Sequence, residues 1–426
     1  MRFAWIAVAV LAAAFVAARS PLGADYGNIG CHLNAPRCDE PLWPLDALAR
    51  AHFATFVHNQ PLMGPASLVL RAPFAAASRL FDADLTWHYR AGLFACLLVA
   101  ALLALELARR SRARGHWWVH TAAVGVLTFL NPLTVSAIRA GHPEELIAAA
   151  AVVVSALLVL DGRWTLAGLA LGFAVATKAW AILVAVPLLL MVAPPARRRF
   201  AAACVLLVLA LYAPMALGDT HRFRSVVQAA GSLGSHYGEA SPPNAWFFTT
   251  SVGHFAWPSE VRDGQIVYSD ATGFRISNGT AHRAHALVLV LALVLTLAWW
   301  RSGNGARRPE TLLLLMAAVL LLRCVLDPGN HLYYHGAATT SLLAYDALRP
   351  GARFPWMAGW FIGGLWVITR VNDHLSTDRA FAWVYLAWAV PTLAGLALIA
   401  CRRSRSMPPT RPSLISRMRV TASSRA

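Results

Sequence analysis

Four groups of polar residues interrupt a chain built mostly of Leu, Ala and Val, and each carries residue types suited to chemistry on a hydroxyl, a sugar or a phosphate. Asp25 follows the first apolar run and precedes Tyr26. A carboxylate so placed can take a proton from a substrate hydroxyl, or simply close a loop turn. The stretch Arg139-Ala140-Gly141-His142-Pro143-Glu144-Glu145 sets a histidine beside two acids, which can orient a sugar or hold a divalent ion. Proline and carboxylates are equally ordinary at a helix start, where acids oppose the positive helix end. Lys178 is the only lysine and stands inside an apolar stretch. A charge there is costly unless it is paired or faces a cavity. Its anion is either a carboxylate such as Glu144 or Glu145 or a lipid phosphate, which its compact charge suits, with snorkelling to the interface as the simpler alternative. The last group runs from Arg323 through Asp327, His331, Tyr333 and Tyr334 to His335. Cation, acid and aromatic rings make a rim suited to a sugar or a phosphate, or else an interfacial tyrosine belt with a turn. His331 and His335 could share a helix face as metal ligands. No Cys/His signature accompanies them, and neither a metal nor a cofactor is expected.

What must position these groups is a membrane. The composition is 58% hydrophobic and 13% charged, against about 25% charged in a soluble domain. Apolar runs of about 17 to 20 residues, the length that crosses a bilayer, fall near 3–18, 91–108, 117–138, 144–160, 200–217, 284–300, 310–326, 335–348, 355–370 and 381–400. As one helix, the stretch 164–193 would run about 45 Å against about 30 Å of hydrocarbon, and it contains Lys178 and Pro187. It reads as two short helices, 164–177 and 179–193, meeting at Lys178. The expected fold is all-α: a polytopic transmembrane helical bundle of about twelve membrane segments over residues 1–401, with larger outer loops at 20–90 and 218–283 and a disordered basic tail at 402–426.

Charge fixes the expected orientation. With the N-terminus inside, the arginines of 109–114, 197–199, 301–308, 349–353 and 402–403 all fall on the cytoplasmic side, as short basic loops do. The acids sort the other way, apart from Glu106, Asp161, Glu310 and Asp346. Both termini are thus expected in the cytoplasm, the chain in the plasma membrane, and the four polar groups at the outer face. The net charge of +17 follows from topogenesis and contact with anionic membrane lipids. No compact basic, aromatic-interleaved domain exists for nucleic acid. Walker and Rossmann glycine loops are missing too, which disfavours a primary pump or a cytosolic nucleotide-sugar enzyme.

The first segment reads as a retained signal anchor rather than a cleaved signal. Cys31 and Cys38 share the first outer loop and read as a small disulfide-closed loop, with two free thiols as the alternative. Cys96, Cys204, Cys324 and Cys401 read as packing residues within spans or at a span end. A membrane transporter or flippase for a lipid-linked or small polar substrate is the rival class. It would need polar residues at mid-membrane in several helices, whereas here they gather at the outer ends, without paired Gly/Pro-interrupted segments in two halves.

Several stretches together carry a family resemblance: Asp25 after the first span, Gln60-Pro61-Leu62-Met63-Gly64-Pro65, the Gly-His-Pro-Glu-Glu turn, Ala176-Thr177-Lys178-Ala179-Trp180, and the late Leu-Asp-Pro to Tyr-Tyr loop. Over most of residues 1–400 the chain resembles the GT-C integral-membrane glycosyltransferases, and within them actinobacterial polyprenyl-phosphate-mannose-dependent enzymes and their relatives. The resemblance implies a sugar donor on a polyprenyl phosphate, a glycolipid or cell-envelope acceptor, and a first-loop carboxylate as general base, which by placement is Asp25. Lys178 and Arg323 would then meet the departing phosphate, and attack in line would invert the anomeric carbon. The Cys31 to Cys38 insertion departs from the pattern, and Asp39 and Glu40 just beyond it add two further candidates for the base.

Overall fold

The computed structural model describes residues 2–24, 26, 42–60, 63–81, 84–111, 117–129, 131–231, 243–262, 265–349, 354–375 and 377–402. In chain order the elements are α1 (Arg2–Arg19), α2 (Leu42–Ala49), α3 (Phe53–His58), α4 (Pro65–Arg79), α5 (Leu85–Arg110), α6 (Trp117–Phe129), α7 (Pro132–Ala140), α8 (Glu144–Leu160) and α9 (Trp164–Val175). A 3-10 turn, Ala179–Val184, leads into α10 (Ala185–Met191), followed by α11 (Arg197–Gly218) and α12 (Thr220–Gly231). An antiparallel hairpin of β1 (Ser251–Arg262) and β2 (Gln265–Arg275) comes next. The chain ends with α13 (Asn278–Arg301), α14 (Asn304–Arg307), α15 (Thr311–Leu326), α16 (Gly336–Leu348), α17 (Trp356–Asn372) and α18 (Asp378–Cys401).

α15 is the spine. Every residue from Thr311 to Leu322 is buried, and a helix apolar all round belongs inside a bundle. Around it Val153, Leu171, Val184, Leu342 and Tyr385 form one continuous core with α8, α9, α16 and α18. A second core joins Leu45 and Leu68 of α2 and α4 to Tyr89 and Leu93 of α5 and to Met215 of α11. Elsewhere large apolar side chains face outward, among them Leu206 and Leu209 on α11, Val290 on α13 and Trp383 on α18. Such surfaces fit a bilayer, where a helix satisfies its own backbone.

Among the described residues, five helical stretches are long and apolar enough to cross a membrane: Leu85–Arg110, Thr121–Ala140, Pro194–Gly218, Gly279–Arg301 and Asp378–Cys401. Shorter apolar helices include Trp5–Arg19, Trp164–Val175, Ala179–Met191 and Thr311–Leu326. The fold is therefore a helical membrane bundle as expected, but a count of twelve spans does not follow from helix length and composition. Three local features also depart from the sequence reading. The region 218–283 contains a β-hairpin, with Ser251 opposite Arg275 and an irregularity between Pro258 and Glu260. The run 117–138 breaks at Asn131, whose side chain accepts from the Leu133 and Thr134 amides and starts α7 afresh. The region 20–90 contributes α2 to α4 to the core rather than forming a separate soluble mass.

α9 meets α11 closely enough to exclude a side chain. A Cβ on Gly168 would stand 2.2 Å from the Phe200 carbonyl oxygen, and one on Gly172 2.6 Å from that of Cys204. Small residues one turn apart let two backbones touch, which is how helices associate where lipid offers no hydrophobic drive. This contact holds α9 upright as one arm of the expected 164–193 hairpin. At its Trp164 end Arg110 pairs with Asp161 at 2.5 Å, while its other end delivers Lys178. Asn304 donates to the Ala400 carbonyl at 2.6 Å, joining the start of α14 to the end of α18.

Candidate functional site

Glu144 is the hub, and local sequence puts it there. Asn131 caps α7, which ends on Gly141 with φ 94°, the left-handed conformation glycine supplies without strain. That tight reversal presents His142 and places Glu144 and Glu145 in the first turn of α8. Lys178 arrives from the opposite direction, in extended conformation between the end of α9 and the 3-10 turn. Its ammonium lies 3.1 Å from Glu144 Oε1 and 3.4 Å from Glu145 Oε1. His142 Nδ1 is 2.9 Å from the same Glu144 oxygen. The Trp180 indole donates to Glu145 Oε2 at 3.1 Å. Glu144 is fully buried, whereas the Lys178 side chain keeps 13% exposure and forms the open edge of the group.

Aromatic rings wall this edge. Tyr333 stacks between His142 and His331, with centroids 5.4 Å apart on both sides. Arg323 lies over the Tyr334 ring at 4.2 Å, where cation and ring quadrupole attract, and its Nε is 3.4 Å from Asp327 Oδ2. Asp327 also accepts from the Gly329 amide, shaping the turn after α15. The groups read from sequence around residues 142–145, 178 and 323–334 are thus one cluster, packed at one end of the bundle. His335 turns elsewhere: Nδ1 meets the Leu332 carbonyl and Nε2 the Tyr385 hydroxyl. With both nitrogens engaged, it offers no shared metal site with His331.

Arg139 contributes through its backbone. Its side chain is exposed, while its carbonyl accepts the Ala24 amide at 2.7 Å. A Cβ on Gly23 would stand 2.3 Å from the Gly141 Cα. On the other side of position 25, the Tyr26 hydroxyl pairs with His88 Nδ1 at 2.5 Å, and His88 Nε2 is 3.9 Å from Asp46. Ala24 is therefore anchored against the turn that leads into Glu144, and Tyr26 against His88 of α5. Asp25 itself, Cys31, Cys38, Asp39, Glu40 and the tail beyond 402 lie outside the described residues.

Arg71 is the residue that sequence reasoning missed. It sits on α4, fully buried, with its Nη1 3.7 Å from Glu144 Oε2. Among the described residues, none of its three buried guanidinium nitrogens has a hydrogen-bond partner. α4 is hung from the Lys178 corner itself: the Gly64 amide donates to the Thr177 carbonyl and the Ala66 amide to the Ala176 carbonyl, both at 3.1 Å. The available signal was an arginine between Leu70 and Ala72, with apolar residues for three positions or more on its C-terminal side.

Three cations, Arg71, Lys178 and Arg323, face three carboxylates, Glu144, Glu145 and Asp327. An entering anion meets a balanced constellation whose more open members are Lys178 and Arg323. A cavity of about 30 Å³ borders Glu145 and Tyr333, room for a water or two. Held charges and aromatic faces of this kind bind a polar, ring-shaped substrate and stabilise charge developing beside it.

No curated protein matches the chain. Its sequence does match glycosyltransferase family 87 over residues 62–328, a stretch that starts after position 25, includes Arg71, Glu144, Lys178 and Arg323, and stops before His331 and Tyr333. With this match across more than half of its length, on a helical membrane bundle, the chain belongs to glycosyltransferase family 87, a family of GT-C type membrane glycosyltransferases.

Proposed function

We propose that this glycosyltransferase takes its sugar, mannose or another hexose, from a polyprenyl phosphate and passes it to a glycolipid or cell-envelope acceptor on the extracytoplasmic face, with both termini in the cytoplasm. The observation that carries the reading is the junction of two segments. Ala24 and Gly23 are anchored on the Arg139 to Gly141 turn, and that turn delivers His142 and Glu144 to Lys178. A base at Asp25 would thus act beside a fixed constellation of cations.

Asp25 removes the acceptor proton as the acceptor oxygen attacks the anomeric carbon. The bond from that carbon to the phosphate oxygen breaks, the electron pair leaves with the phosphate, and configuration inverts. Lys178 and Arg323 receive the new charge, in a setting where preorganised cations contribute most. Tyr333 and His142 present faces for the sugar ring.

The test is transfer by the purified protein in liposomes, from radiolabelled polyprenyl-phosphate mannose to an extracted glycolipid fraction. Asp25→Asn should slow transfer by about 10² to 10⁴, the usual cost of a lost general base, while Asp39→Asn and Glu40→Gln stay active. The reverse pattern moves the base beyond the Cys31 to Cys38 loop. Wild-type protein that transfers from a nucleotide sugar and not from the lipid would refute the donor.

A further inference from the structure

Away from the Glu144 cluster, α1, α4 and α5 line an open groove of about 840 Å³, within the size range of small-molecule sites. Each helix gives it one face, and alanines such as Ala14, Ala17 and Ala91 leave the room. Its floor is apolar: Phe74 of α4 and Phe94 of α5 meet edge to face, with centroids 5.6 Å apart. Its mouth is polar. Asp84 caps α5 by accepting the Trp87 amide at 2.9 Å, and half-exposed Trp87 stands beneath the Arg90 guanidinium at 4.9 Å. Arg90 Nε donates to the Ser20 carbonyl at 3.0 Å. That bond and the ring contact fix the guanidinium, and its two terminal nitrogens have no partner among the described residues.

The polarity gradient has a length. From Asp84 to Phe94 α5 rises about 15 Å at about 1.5 Å per residue, half of a hydrocarbon core of about 30 Å. The groove is therefore one leaflet deep, polar at the interface level where tryptophans anchor and apolar below. A peptide would need backbone partners along its length, whereas here the polar groups gather at one end only. We propose that the groove binds one zwitterionic phospholipid, with a hydrocarbon chain resting on Phe74 and Phe94, its phosphodiester on Arg90, and its ammonium beside Asp84. The acid at the mouth is the reason for a zwitterion, because a head with no positive group would bring its phosphate against an uncompensated carboxylate.

The bound head touches the active end indirectly. Arg90 holds Ser20, and the chain from Ser20 runs straight to Gly23 on the Gly141 turn. Occupancy thus stiffens the entry to the catalytic cluster without supplying a reacting group.

Melting of delipidated protein in mixed micelles tests the assignment, with phosphatidylethanolamine, phosphatidylglycerol and diacylglycerol of identical chains as probes. Phosphatidylethanolamine should raise the melting temperature most, and both Arg90→Gln and Ala17→Trp should remove the rise. An equal rise with diacylglycerol would reduce the site to a greasy groove, and an equal or larger one with phosphatidylglycerol would remove the role of Asp84; either result overturns the proposal. A rise that survives in both variants overturns it as well. Should Ala17→Trp fail to fold, Ala91→Trp fills the same space from the facing helix. Because none of these readouts uses sugar transfer, they stand whatever the donor proves to be.

Discussion

Lys178 and Glu144 lie 3.1 Å apart although one follows the end of α9 and the other opens α8. The ammonium bridges Glu144 and Glu145 together. This resolves what an ionisable residue in an apolar hairpin pairs with: its partners are protein carboxylates, and a substrate phosphate would come to an ammonium already held in place.

Removing that cation should therefore be a stability event. Among the described residues, Lys178→Met leaves Glu145 its bond from Trp180 and Glu144 its contacts with His142 and a distant Arg71. Breaking one partner of a buried pair costs about 3 to 5 kcal/mol, so thermal melting should fall accordingly. The double variant Lys178→Met with Glu144→Gln should recover part of the loss, and a single variant that melts like wild type would make Lys178 an interface residue.

Arg71 should behave in the opposite way. Glu144 keeps two closer partners without it, and each buried polar group left without a hydrogen bond costs about 1 to 3 kcal/mol. Arg71→Met is expected to hold or raise the melting temperature while lowering transfer, because the cation near Glu144 is lost and the volume is kept. A drop comparable to that of Lys178→Met would instead make Arg71 the main counter-ion of Glu144.

The close contact of α9 and α11 allows a sharper structural test. Gly168→Ala puts a methyl 2.2 Å from the Phe200 carbonyl oxygen, a backbone atom that cannot rotate away. Overpacking of this kind costs about 1 to 3 kcal/mol. Gly363→Ala, where a Cβ meets nothing within 4 Å, is the control that should melt no lower and slightly higher, because alanine is the better helix former.

A pH effect is expected where α11 meets α12. Asp219 accepts the Arg222 amide at 2.8 Å and pairs with His58 at 2.7 Å, and these contacts, the amide first, hold its carboxyl below the ordinary value. The charged form is the one the fold favours. Its contribution is complete above the unfolded carboxylate range and disappears as pH falls through the lower folded value. The carboxylate keeps contact with solvent, so the effect is small. Melting of wild type and Asp219→Asn should differ near neutrality and converge at the acid end; a difference that grows with acid would contradict the sign.

How much of this could be read from sequence depends on the kind of signal. A charge among apolar residues is conspicuous, which is why Lys178, Arg323 and the acids at 144 and 145 were legible as a group. The partner of Lys178 stayed open between Glu144 or Glu145 and a lipid phosphate, because which helix ends meet depends on contacts such as Gly168 with Phe200. Arg71 was hidden by its setting: residues 20–90 read as a loop, and an arginine in a loop reads as solvated. The β-hairpin escaped for a local reason, since Gly253 and Pro258 both weaken a strand reading. Asn131-Pro132, by contrast, carries a legible cap-and-proline start inside a run that hydropathy alone makes continuous.

The two main-chain bonds from Gly64 and Ala66 to the carbonyls at 177 and 176 have a mechanical meaning. A cover that opens by itself has to be hinged at its edges and free in its middle, and α4 is fastened at the very point where it meets the hairpin. It travels with Lys178 or stays still with it. Whatever approaches this corner meets α4 and the hairpin as one fastened piece.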